Sequence, residues 1–125
     1  MPLPPLTSSG DLPLGVHRAS LRELLECFGV GSRKRMAVAE RLERIYRLAF
    51  ATGQLSRFVV FGSFVTDKPE PNDVDVFIVV QDTFDAGELR GETALLFDHA
   101  AADAHFGASV FWFVDWRLWV ANKRR

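Results

Sequence analysis

Val38, Leu42, Ile45 and Ala49 are spaced by four, three and four residues, which places them on a single stripe of a helix. Arg33, Lys34, Arg41, Glu43, Arg44 and Arg47 fall mostly outside the stripe and predict its solvated side. Ser32 offers this helix an N-cap and Gly53 a stop. A shorter helix is predicted before it, to about Phe28, because Ser20-Leu21-Arg22-Glu23 has the spacing of a capping box. Gly29 and Gly31 end that helix.

Beyond Gly53 the pattern becomes extended. Phe58-Val59-Val60-Phe61 runs straight into Gly62-Ser63, predicting a short buried strand that ends in a tight turn. A polar loop from Phe64 to Asn72 holds Pro69 and Pro71. The run Asp73-Val74-Asp75-Val76-Phe77-Ile78-Val79-Val80 is rich in β-branched residues and predicts a central strand with its acids at the very beginning. From about Ala86 to Phe106, Leu89, Leu96 and Ala100 on one side predict one helix or two short ones, ended by Gly107. Ser109 to about Val120 predicts a third, aromatic strand, with Phe111 and Phe113 on one face, Trp112, Val114 and Trp116 on the other, and Trp119 following. Apolar residues on both faces call for cover on both sides, from the N-terminal helices or from another chain. Lys123-Arg124-Arg125 reads as a solvated basic tail.

Composition narrows the class. The 125 residues, 48% hydrophobic, suit one compact domain with a radius of about 14 Å and exclude a second. Residues 1–16 carry four of the six prolines and no periodicity, so an extended arm is expected there and one domain over 17–125. Fifteen basic against sixteen acidic side chains produce no global field for polyanions, so a nucleotide or nucleic acid would need local groups to hold it. The single cysteine, Cys27, cannot form an internal disulfide; it is expected to pack in the interior of a cytoplasmic protein. The longest apolar runs are strand-sized, so neither export nor a membrane span is expected.

The candidate chemistry lies in Gly62-Ser63 followed, after nine residues, by Asp73-Val74-Asp75. Alternation along a strand puts the two acids on one face, about 6.6 Å apart. Carboxylates that close repel each other, and among apolar neighbours a divalent cation relieves the repulsion better than protonation or a basic partner. The alternative is that both acids face water at a strand start. Gly62 lacks the Cβ that would keep a phosphate from the backbone, and Ser63 adds a hydroxyl and exposed amides. Elsewhere, His17, His99 and His105 lack metal-ligand spacing, and Arg33-Lys34-Arg35 reads first as an exposed helix start and second as a contact to an acceptor nucleic acid.

The run Phe61-Gly62-Ser63-Phe64 through Asp73-Val74-Asp75-Val76 resembles the signature of the nucleotidyltransferase superfamily typified by DNA polymerase β, in particular its minimal bacterial members. The match covers about 20 residues, and the order of helices and strands around it agrees. The opening Gly15-Val16-His17-Arg18-Ala19-Ser20-Leu21 is also similar to that of small uncharacterised bacterial proteins of the same superfamily. The resemblance implies an α/β fold, a small mixed sheet flanked by helices, with its second and third strands parallel. It implies transfer of a nucleoside monophosphate from an NTP to a hydroxyl of a protein or nucleic acid. Asp73 and Asp75 would hold magnesium or manganese, and Gly62 and Ser63 would take the phosphates. Independently of the resemblance, Lys68 in the loop before the acids reads either as a further phosphate contact or as a solvated loop lysine. Active members carry a third acid on the next strand. Asp115 is the candidate, being the only acid in the third strand, although strand length sets it about 20 Å beyond Ser109. The alternative is a weak or inactive interaction module, such as one half of a bacterial toxin–antitoxin pair, engaging a protein partner or a second copy through the aromatic last strand. A small metal-dependent glycosyltransferase would share the acid pair but needs a longer chain.

Overall fold

The computed structural model describes residues 3–115. It contains helices α1 (Leu21–Phe28) and α2 (Arg33–Ala51), then strands β1 (Leu55–Phe61) and β2 (Asp75–Val80). Helices α3 (Gly91–Leu96) and α4 (His99–Phe106) follow, and strand β3 (Ser109–Val114) comes last. The sheet has the order β1-β2-β3; β2 is antiparallel to β1 and parallel to β3. This is the expected α/β class, a small mixed sheet with helices packed on it. Trp116, Trp119 and the basic tail from Lys123 lie outside the described residues.

The stripe on α2 is buried as its spacing requires, with Leu42 and Ile45 at 0% exposure. It packs with Val76, Ile78 and Val80 of β2 and Val110 of β3, so the helices cover one face of the sheet. On β3 that cover comes from α4 and from the segment before it, since Trp112 meets Phe84 and Phe97 edge to face and donates its indole N–H to the Phe97 carbonyl at 2.8 Å. The opposite face carries Phe61, Phe77, Phe111 and Phe113; His99 at the start of α4 reaches Phe111 there, and both Phe111 and Phe113 stay exposed.

Four expectations change. Ala100 is exposed rather than on the buried side, because Asp98 caps α4 through the Ala101 N–H at 3.1 Å and restarts the helical phase, turning Ala102 and Phe106 inward. Cys27 is exposed on α1 rather than packed. The capping box on α1 is half made: Ser20 accepts from the Glu23 N–H at 3.0 Å, but the Glu23 carboxylate accepts from the Leu3 N–H instead of its own cap. That contact belongs to the fourth change. Residues 3–16 have no regular structure, yet they are docked, with Leu3, Leu6 and Leu12 against the core and the Gly10 carbonyl accepting from Asp67 N–H at 3.0 Å.

Candidate metal and phosphate site

The antiparallel pairing of β1 with β2 brings the end of one strand to the start of the other. Phe61 is the cross-strand partner of Asp75, so the next residue, Gly62, turns directly over the Asp75 carboxylate. Its backbone sits at φ 84°, ψ −164°, a region only glycine occupies without strain. A Cβ there would lie 2.0 Å from Asp75 Oδ2. Gly62 is therefore required twice, by its conformation and by the close approach.

A single 3₁₀ turn, Ser63–Val65, follows. Phe64 anchors it in the core at 0% exposure, and the Ser63 carbonyl accepts from both the Thr66 N–H at 3.2 Å and the Thr66 hydroxyl at 2.7 Å. Ser63 stays half-buried beside the carboxylates' strand end.

What holds the loop is Arg35, a residue read from the sequence as part of an exposed basic helix start. It is buried, and its guanidinium donates to four carbonyls: Phe28 at 3.0 Å, Phe64 at 2.9 Å, Thr66 at 2.7 Å, and Lys68. Burial lowers its pKa from the usual arginine value, and Asp67 partly offsets this. Arg35 stands three residues before Val38, in line with the buried stripe; a charge on an apolar stripe was the signal in the sequence. Its neighbours add to the tie: Lys34 donates to Asn72 Oδ1 at 2.7 Å and Arg41 to the Asn72 carbonyl at 3.4 Å. The three cations serve the protein's own loop. Lys68 is exposed on that loop, with its N–H on Thr66 Oγ1 at 3.2 Å.

β2 begins at Asp75, two residues later than expected, and Asp73 sits in the approach to it. The two acids remain close enough to interact. Burial is the main cause that raises the Asp75 pKa above the ordinary carboxyl range; the charge of Asp73 raises it further, and a hydrogen bond from Ser109 works the other way. Both carboxylates are half-buried while Val74 between them is wholly enclosed.

Asp115 does not join them. Ser109 is the register partner of Asp75, Val114 that of Val80, and Asp115 follows Val114 at the far end of the sheet. It is 6% exposed, its N–H donates to the Val80 carbonyl at 2.9 Å, and its Oδ2 accepts from Ser56 at 3.2 Å. Parallel strands align like ends, so an acid beside Asp75 would have to stand where Ser109 stands. Asp115 as a third catalytic carboxylate is corrected on that geometry. Among the described residues no group of three or more His, Cys, Asp or Glu converges. Two shallow concavities flank α2, one of them lined by Leu21, Leu25 and Val30, and the acids lie in neither.

A three-stranded mixed sheet, helices on one face and an acid pair under a glycine turn at one end define a small α/β domain with one candidate binding end. The chain belongs to the family of unknown function DUF6932, whose model matches residues 4–118. Neither the curated proteins nor the solved structures contain a match. Among the described residues no helix is long and apolar enough to cross a membrane.

Proposed function

We propose that the chain binds a magnesium– or manganese–NTP complex at Gly62, Ser63, Asp73 and Asp75, and is a nucleotidyltransferase-like protein of the DNA polymerase β type. The observation that carries this reading is the approach of the Gly62 backbone to Asp75 Oδ2, which leaves no room for a side chain between turn and carboxylate. The donor set suits a hard cation. Two neighbouring half-buried carboxylates, the charge of Asp73 helping to raise the pKa of Asp75, gain most from a divalent ion, and magnesium retains waters and takes phosphate oxygens to complete its shell. Bound there, it would neutralise charge on the triphosphate during attack by an acceptor hydroxyl. Asp73 and Asp75 would hold the metal, the Ser63 hydroxyl and nearby amides the terminal phosphates, and Lys68 is within the same loop to approach them. The setting that goes with this reading is the cytoplasm, where NTPs and magnesium are abundant.

Calorimetric titration with manganese, with and without ATP, tests the site. Ser63→Ala is expected to weaken nucleotide binding by about 1–2 kcal/mol, the scale of one hydrogen bond to a charged group. Unchanged affinity would place the phosphates elsewhere.

Ser109 favours a second reading, a module of this type with little or no transfer activity, such as half of a bacterial toxin–antitoxin pair. It occupies the register position beside Asp75 and offers a hydroxyl where metal activation of an acceptor calls for a third acid. Isolated chain incubated with labelled NTPs, magnesium and a pool of cellular protein and RNA is expected to incorporate little label. Robust incorporation would reject the second reading and give the two-acid site full catalytic competence.

A further inference from the structure

The geometry points to the open aromatic face of the sheet as a stacking platform for the nucleobase of a nucleotide whose phosphates lie at Gly62–Ser63. The inference rests on the nucleotide reading above and adds to it where the base goes and how it is recognised.

Phe77 is the next residue after Asp75 on the same face of β2, about 6.6 Å further along the strand. Its ring centre lies 4.9 Å from that of Phe61, stacked at 17°, 5.3 Å from Phe111 and 5.9 Å from Phe113. His99 extends the platform, stacked on Phe111 at 4.7 Å, and its Nδ1 donates to the Val110 carbonyl at 3.0 Å, which fixes the ring. The four phenylalanines thus begin beside the carboxylate that would hold the metal, with Phe61 its cross-strand partner and Phe77 one pleat further on. Phe111 is the register partner of Phe77, so one pleat along β2 and one strand across, about 8 Å in all, separate it from Asp75, a span on the scale of a ribose.

Exposure separates the possible occupants. Phe111 is 40% exposed and Phe113 46%, while Phe61 and Phe77 are partly covered by their neighbours. The exposed part of the patch is on the order of 200 Å², given that a whole aromatic side chain presents roughly 150–250 Å². That is the scale of one base, well short of the roughly 800 Å² per partner of a stable protein interface. Phenyl rings offer no hydrogen-bond pattern, so recognition here would be by stacking and tolerant of base identity, with purines favoured by their larger rings.

The test compares manganese complexes of ATP and of inorganic tripolyphosphate, which has no base, by calorimetry on wild type, Phe111→Ala/Phe113→Ala and Phe111→Tyr. Wild type should bind the ATP complex about ten-fold more tightly, in keeping with one base stacked on an aromatic side chain. The double alanine variant should lose that advantage while its tripolyphosphate affinity moves less than two-fold, and Phe111→Tyr should keep it. ATP no tighter than tripolyphosphate, or an advantage that survives in the double variant, overturns the platform and leaves the phosphate site standing. If wild type takes neither complex, the site reading and the platform fall together. Sedimentation of the same samples covers the remaining occupant: a dimer that Phe113→Arg dissociates would assign the face to a second copy and overturn the proposal.

Discussion

Gly62→Val is expected to destabilise the fold by about 3 kcal/mol and to remove manganese-dependent nucleotide binding. Two costs coincide at this position. At φ 84°, ψ −164° a β-branched residue meets strain of about 1–3 kcal/mol. The overlap at 2.0 Å from Asp75 Oδ2 must be relieved by moving either the carboxylate or the turn, and both belong to the proposed site. Gly53→Ala separates the costs, since Gly53 has φ 70° with nothing within 4 Å of its Cβ; it should show about 1 kcal/mol in urea denaturation and normal binding. If Gly62→Val bound nucleotide as tightly as Gly53→Ala, the turn would not be part of the site.

Much of this arrangement was legible in the sequence because local rules agree with the tertiary result. The α2 stripe, the β-branched run of β2 and the glycine ahead of the acids each reflect a requirement a few residues long. What was missed depends on contacts distant in sequence. Arg35 looks like one of three basic residues until the loop is present, when it meets carbonyls as far away as Lys68, 33 residues on. The docking of the N-terminal arm is hidden for the same reason: a proline-rich stretch with scattered leucines has no period, and only the Asp67 N–H on the Gly10 carbonyl and the leucines in the core reveal its place. The position of Asp115 was a matter of register. Counting residues along β3 placed it at the far end, and the parallel pairing of Asp75 with Ser109 agrees with the count.

Ser109 also explains why Asp75 is tolerable beside Asp73. A half-buried carboxylate beside another acid is costly, and the Ser109 hydroxyl reduces the cost without cancelling it, so the pKa of Asp75 stays raised. Asp75 thus has the character of a functional group that the fold accommodates at some loss of stability.

Asp75→Asn should therefore act in opposite directions on stability and on binding. Because the folded-state pKa of Asp75 is raised, the folded protein holds that proton more tightly than the unfolded chain does. Stability from this group falls as pH rises from the ordinary carboxyl pKa through the folded one, and at neutral pH the ionised side chain is a net cost. Asparagine keeps an acceptor for Ser109 and sheds the charge, so in chelator at neutral pH the variant should be more stable by about 1 kcal/mol. The gain should shrink as pH falls through the raised folded-state pKa of Asp75, below which the wild-type side chain is itself protonated. Manganese with ATP should reverse the order. Wild type gains stability by mass action as the complex binds, whereas the variant, left with Asp73 as its one charged ligand, gains nothing. Melting curves of both proteins in chelator and in manganese with ATP read all of this directly. A wild type that fails to overtake the variant in metal and nucleotide would show that Asp75 is an acid exposed to water at a strand start, with no cation to hold.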